Sequence, residues 1–359
     1  MVKKLKTGVA YHGNRILKHV EEDMKDISAR NMNTVLHMFT HNDWDRHLGV
    51  MKNIFDISKE NGLEVWVDNW GLGGPPGDKS HFLQYHPESH QVLSDGTREP
   101  VRSCFNSEAF LKFTYDWIDA VAECGGQKIF WDEPHLIEKD VNGKKVFSCC
   151  CDTCKKLFEE KYNKPMPAEL TDEVLKFRMD SINSYFEKVT SHAASKGIEN
   201  IVCVMLHTLD HTNGLVNIPA LSNFGIDPYW RCDGNWDKEK KCRIQSPYDY
   251  VYDNTKNFTD VAKKAGKDSH VWIQAFGIPA GEEEDIFYAT DAAYDAGART
   301  ILAWSFRGAE SNTYKSERCD YLWNIIGEAM RRIKDRNLDE IRNEFYSKKI
   351  IERRKKGEM

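Results

Sequence analysis

Two carboxylates end the segment Gln127-Lys128-Ile129-Phe130-Trp131-Asp132-Glu133-Pro134-His135. Ile129, Phe130 and Trp131 follow Gly125-Gly126, which punctuate the end of a helix, so they read as a short buried strand. Pro134 stops ladder pairing at once. A strand of this kind delivers acids to its carboxyl end, where they can protonate a leaving group or stabilise developing positive charge. Glu133 is the candidate general acid: the charge of adjacent Asp132 raises its proton affinity, and Pro134 stiffens its backbone. The second carboxylate is Asp227, in Asp227-Pro228-Tyr229-Trp230, or Asp132 itself; an Asp before Pro also starts ordinary turns. A second motif is the run Cys149-Cys150-Cys151-Asp152-Thr153-Cys154, whose Cys-x-Cys-x-x-Cys spacing suits a metal.

The surrounding pattern is strand then helix, repeated. Strands are expected at residues 7–12, 34–39, 63–68, 127–132, 201–207, 224–230, 271–276 and 300–306. Helices are expected at 15–31, 44–61, 109–123, 152–162, 172–196, 248–265, 282–296 and from about 319 to 354, with a short one around 215–221. The strands are near-continuous apolar runs, as parallel strands covered on both faces are. Eight such repeats predict one α/β domain over 1–359, a (β/α)8 TIM barrel. Residues 71–106 and 136–170 are read as insertions over one face of it, the first a long loop after the third strand, and about 319–359 as a C-terminal helical extension. An open doubly wound sheet is the competing fold, but no Gly-x-Gly-x-x-Gly follows the first strand and no phosphate-gripping loop is present.

Barrels of this type carry their chemistry at the carboxyl ends of the strands. Read together, those ends supply Tyr11 and His12, His37 with His41 just beyond, Asp68, Asn69 and Trp70, then Trp131, Asp132, Glu133 and His135. The remaining strands supply His207, then Asp227, Tyr229 and Trp230, then Gln274, then Trp304 and Arg307. Indole faces stack on the C–H faces of sugars, and acids, amides and imidazoles pair with hydroxyls. Any single Trp is equally at home in a core. The set as a whole points to a carbohydrate substrate and a glycosidic bond cleaved by paired carboxyls.

Composition narrows the classes. Fifty Lys and Arg against 56 Asp and Glu leave a formal charge of −6, which gives no electrostatic case for nucleic acid or an anionic membrane. The basic tail (Lys348, Lys349, Arg353 to Lys356) is interrupted by Glu352 and reads as a solvated helix end. No apolar run nears the roughly 20 residues of a membrane span, and no signal peptide is visible, so a cytoplasmic location is expected. Ten cysteines without a secretory signal argue against a disulfide framework. No organic cofactor motif appears, and a homo-oligomer is compatible with the chain.

Trp131-Asp132-Glu133-Pro134 and Trp304 resemble the strand-four acid and strand-eight tryptophan of the large clan of glycoside hydrolase barrels. Cys104, in Cys104-Phe105-Asn106-Ser107, with the later cysteine run resembles the zinc-bearing beta-galactosidases of glycoside hydrolase family 42. That resemblance implies a structural Zn2+ held by Cys104, Cys149, Cys151 and Cys154, closed by four sulfurs and pinning two loops together. Free thiols and an iron–sulfur cluster are the alternatives, and Cys150 could replace a neighbour. The chain departs from the clan at the seventh strand, where Gln274 stands in place of a nucleophile glutamate; Glu282, Glu283 and Glu284 come later and suit a helix N-terminus. Adjacent Asp-Glu also resembles hexosaminidases in which the substrate's acetamido group is the nucleophile, with Asp132 then polarising it. Two other classes remain open: a metal-dependent amidohydrolase or sugar isomerase using His12, His37, His207 and Asp227, and a non-catalytic sugar-binding barrel.

Overall fold

The computed structural model describes residues 3–72, 80–206 and 213–356. Eight parallel strands close on themselves: β1 (Lys6–Tyr11), β2 (Thr34–Met38), β3 (Glu64–Asp68), β4 (Lys128–Asp132), β5 (Glu199–Val204), β6 (Leu221–Ile226), β7 (Val271–Gln274) and β8 (Thr300–Trp304). Each pairs with its sequence neighbours, and β1 closes on β8 with Lys6 opposite Thr300 and Val9 opposite Ala303. Between them run α1 (Leu17–Ala29), α2 (His41–Glu60), α3 (Glu108–Glu123), α4 (Asp152–Tyr162), α5 (Asp172–Ser195), α6 (Pro247–Lys264), α7 (Asp285–Asp295) and α8 (Cys319–Lys355). The (β/α)8 barrel and its C-terminal helix are therefore present as the repeats predict.

Strand alternation sorts the side chains into two cores. Ala10, Leu36, Met38, Trp66, Phe130, Ile201, Cys203, Trp272 and Leu302 fill the barrel, with Trp70, Tyr229 and Trp304 above them. Their odd-even partners, such as Val9, Val35, Val65 and Ile129, face the helices. The floor is completed by His270, whose Nδ1 lies 2.7 Å from Asn223 Oδ1 and whose ring meets Trp66, Phe130 and Trp272 edge-on. Gly225 is required beside it, since a Cβ there would lie 2.3 Å from the His270 carbonyl oxygen.

Several boundaries differ from expectation. Helix α2 starts three residues earlier because Thr40 and Asp43 form a reciprocal cap, and Arg15 pairs with the same Asp43 at 2.7 Å. Strand β6 begins at Leu221, where a short helix was expected; the helical turn lies at Asn213–Asn217. Both insertions carry structure rather than open loop. The first holds a helical turn (Phe82–Tyr85) and a ribbon of His90–Val92 with Arg98–Ser103. The second is a hairpin, Glu138–Val141 with Lys144–Phe147, turned by Asn142-Gly143 at φ 53° and 75°.

The insertions interlock. Ser94 N–H donates to Phe147 O at 2.8 Å and Cys150 N–H to Val92 O at 2.7 Å. Buried Arg178 of α5 donates to the carbonyls of Leu136, Ile137 and Ser148 and pairs with Glu138, gripping both ends of the hairpin. No described helix is long and apolar enough to cross a membrane.

Candidate active site

Strand parity decides which acids meet. Asp68 of β3 and Asp132 of β4 both point into the barrel, one step above Trp66 and Phe130. Glu133 is out of phase with them, as Trp131 is. Its backbone resolves this: φ of +38° at Glu133 turns the chain off the strand direction and carries the carboxyl over the barrel mouth. A left-handed β-to-loop transition at a non-glycine residue costs about 1–2 kcal/mol, which the surrounding contacts must supply. Its N–H is anchored on Cys203 O at 3.0 Å. Asp227 follows β6 immediately, and its carboxyl lies against that of Glu133, which raises its proton affinity.

The result is a pocket of about 120 Å³ lined by Trp70, Asp132, Glu133, Cys203, Asp227, Tyr229, Trp272, Phe276 and Trp304. Three indoles and a phenyl ring form its walls, and carboxyls form one side of its base. Burial pushes Asp68, Asp132 and Asp227 well above the ordinary carboxylate range. Neighbouring acid charge adds to this: Glu133 at Asp68, Asp68 then Glu133 and Asp227 at Asp132, and Glu133 at Asp227. Both Asp68 oxygens are buried without a hydrogen-bond partner among the described residues. Burial also raises the Cys203 thiol and the Tyr229 phenol, with Asp227 the leading charge on each. Asp227 therefore holds its proton more tightly than a solvated acid does, burial first and the neighbouring Glu133 carboxyl second.

A second cavity of about 410 Å³ adjoins the first, lined by His12, Gly13, Asn14, Asp23, Ser305, Phe306, Arg307, Glu310 and Ser311. The wall between them is aromatic: His12 meets Trp70 and Trp304 edge-on, each at 5.2 Å. Burial, then Arg15, lowers His12 to about 4, so this imidazole is neutral at physiological pH.

Of the residues expected at the site, Asp132, Glu133, Asp227, Trp70, Tyr229 and Trp304 line the pocket, Asp68 lies beneath it, and His12 and Arg307 line its neighbour. Six others are placed elsewhere. Tyr11 and His37 face outward by parity: Tyr11 donates to Asp23 at 2.6 Å, and His37 Nε2 sits 2.8 Å from Ser58 Oγ of α2. Trp131 likewise packs on Trp117 and Phe186 and donates to Asn200 at 3.0 Å. Trp230 is fully buried off the pocket. Gln274 accepts from Arg231 N–H at 3.0 Å and donates to Phe276 O at 3.2 Å, so its amide braces the loop after β6. His135 turns back, its Nδ1 2.6 Å from the Glu133 carbonyl oxygen. His207 lies outside the described residues. Cys203, Trp272 and Phe276 were not anticipated; counting i, i+2 inward from Ile201 would have reached Cys203.

Cys104, Cys149, Cys151 and Cys154 bring their sulfurs together in a buried cluster. Cys104 Sγ lies 3.4 Å from Cys154 Sγ and 3.7 Å from Cys151 Sγ. Four sulfurs at about 2.3 Å around one tetrahedral ion stand about 3.8 Å apart, so the donors fit zinc with little movement. Asn106 donates to Cys154 Sγ through its amide at 3.3 Å and to Cys104 Sγ through its backbone at 3.4 Å, as expected of groups that orient thiolates. Cys150 is not in the quartet; its sulfur lies 3.7 Å from Phe147 O.

No family model matches the chain, and no curated protein matches it in sequence. Among solved structures it is similar to the catalytic domain of a beta-amylase from Paenibacillus polymyxa (TM-score 0.65, 10% identity, 90% of this chain and 98% of that one). It is also similar to GH5_18 from Streptomyces cattleya in complex with GlcNAc (TM-score 0.60, 13% identity, 93% and 81%). A third is the endo-beta-1,4-mannanase of Thermotoga petrophila (TM-score 0.55, 12% identity, 92% and 77%). At these identities the likeness establishes the barrel.

Proposed function

We propose that the protein is a glycoside hydrolase cleaving an O-glycosidic bond, with Glu133 as general acid/base and Asp227 as its carboxyl partner. The observation that carries this is the convergence of Asp132, Glu133 and Asp227 on one aromatic-walled pocket, where burial and mutual charge raise the proton affinity of the two aspartates. Glycoside cleavage needs a protonated acid beside the leaving oxygen and negative charge near the oxocarbenium-like centre. Glu133 and Asp227, facing one pocket, can divide these two roles, one holding the proton and the other the charge. Trp70 and Trp304 give faces on which a pyranose ring can stack. The structural neighbours named above, a beta-amylase, a GH5_18 protein in complex with GlcNAc and an endo-beta-1,4-mannanase, agree with this reading.

The carboxyl separation bears on mechanism. Retaining enzymes hold their carboxyls about 5–5.5 Å apart and inverting enzymes about 6.5–9.5 Å. The separation that Glu133 keeps from its partner, Asp227 or Asp132, therefore sets the stereochemical outcome. The substrate-assisted route, with Asp132 polarising an acetamido group, is the second reading; inward-pointing Asp132 beside Glu133 favours it.

The Cys104, Cys149, Cys151 and Cys154 quartet would hold a structural zinc, which, with no open position, takes no part in the reaction. Its resemblance to family 42 rests on this cluster. A metal-dependent reaction at the strand ends has little support, since His37 is committed to Ser58 on the far side of β2.

A panel of nitrophenyl glycosides, including N-acetylhexosaminides, tests the reading. Activity on one of them, lowered at least about 100-fold by Glu133→Gln, is expected. Undiminished activity in that variant would remove Glu133 from the reaction.

A further inference from the structure

We propose a second metal site, outside the cysteine cluster: His41, Asp45 and His81 bind a divalent transition-metal cation of the Zn2+, Co2+ or Ni2+ type. The site clips the insertion after β3 to the start of α2.

His41 and Asp45 are one turn apart on α2, so both project from the same face. His81 reaches them from the insertion. Its Nε2 is 3.2 Å from Asp45 Oδ2, and His41 Nε2 is 3.8 Å from Asp45 Oδ1. The two imidazoles lie almost parallel with centroids 3.9 Å apart, and one ligand atom from each of the three residues falls within 4.8 Å of the others. Ligands at about 2.0–2.1 Å around a tetrahedral ion stand about 3.3 Å apart, so the His81–Asp45 contact already fits and the His41 ring must move inward to complete the set. Two imidazoles and one carboxylate are a donor set that suits zinc, cobalt and nickel and leaves a position for water.

The independent observation is how His41 is aimed. Its Nδ1 is 2.8 Å from Ser80 Oγ, while Phe113 and Trp44 bracket the ring. Ser80 thus fixes the imidazole with Nε2 toward Asp45, which is the outer-sphere arrangement that metal-binding histidines use. The two stacked imidazoles share one carboxylate, His41 through Oδ1 and His81 through Oδ2, and a cation would engage all three groups at once. Since the insertion departs from the strand end that carries Trp70, the clip would also brace one wall of the aromatic pocket.

The test is metal content, which does not depend on the glycosidase reading. The purified full chain and its His81→Ala, Asp45→Asn and Cys151→Ser variants are dialysed against micromolar free Zn2+, freed of unbound metal, and measured by elemental analysis. The expected result is one zinc per chain fewer in His81→Ala and in Asp45→Asn than in wild type, with Cys151→Ser keeping the zinc that those two lose. Co2+ loading should then show the loss of a d–d band without thiolate charge transfer in His81→Ala. Both replaced side chains are partly exposed, so folding is expected to survive, and circular dichroism checks it. Equal zinc and unchanged Co2+ spectra in wild type and His81→Ala would overturn the proposal and leave a simple histidine–aspartate salt bridge.

Discussion

The acid cluster at the barrel mouth and the cysteine cluster beside it solve the same problem in opposite ways. Both bury several groups that would repel one another if ionised. The four sulfurs converge to spacings near those around one tetrahedral ion, so a cation can neutralise them. Asp68, Asp132 and Asp227 instead have their proton affinity raised by burial and by one another and Glu133, and no cation that would offset this pairs with those three among the described residues. Protons therefore take the place of the cation. The first arrangement favours permanence. The second leaves a transferable proton in a pocket, which is what an acid catalyst requires.

The comparison breaks most sharply at Glu133. Replacement by Gln is expected to lower kcat about 10²–10⁴-fold on whichever glycoside is cleaved, and Asp227→Asn to give a loss of similar order. Activity surviving in both would show that the acid cluster is structural. Next in size is the cysteine quartet. Cys104→Ser or Cys151→Ser is expected to release zinc and lower Tm on the order of 5–10 °C, read by calorimetry and metal analysis.

A third prediction reverses the usual sign. Asp68 has a folded-state pKa above its unfolded value, so its protonated form contributes stability that is full below the unfolded pKa, near 4, and is lost as pH rises through the raised folded value. Asp68→Asn should therefore raise stability at pH 8, by about 1–3 kcal/mol, with the gain shrinking as pH falls toward 4. A variant destabilised equally at both pH values would mean that the carboxyl has a partner worth more than its burial costs. The smallest effect is at the pocket wall. Trp70→Ala is expected to raise KM about three- to tenfold with kcat little changed, the size of one lost ring contact.

Much of this site was legible from the chain alone, and the gaps have one cause. Asp132, Glu133 and Asp227 were found because short apolar runs end in them, and the Cys-x-Cys-x-x-Cys run because its spacing is local. Tyr11, His37 and Trp131 were expected at the site because they also sit at strand ends. Adjacent strand residues face opposite ways, however, and the odd-even phase of each strand is set by its pairing around the barrel. Gln274 and Trp230 failed for a related reason: their surroundings, the loop after β6 and its packing, are assembled from distant segments.

By itself, the sequence determined the eight-fold alternation of strand and helix, the acid pair at the end of β4 and the metal-type cysteine spacing, since each rests on periodicity or on neighbours within a few residues. Only the tertiary structure decided that Glu133 turns back over the barrel through its +38° φ to meet Asp227, and that His81 comes to rest on His41 and Asp45. Those contacts join residues some 40 to 90 positions apart. Their geometry depends on strand register and on how the insertions fold onto the barrel, which no local pattern encodes.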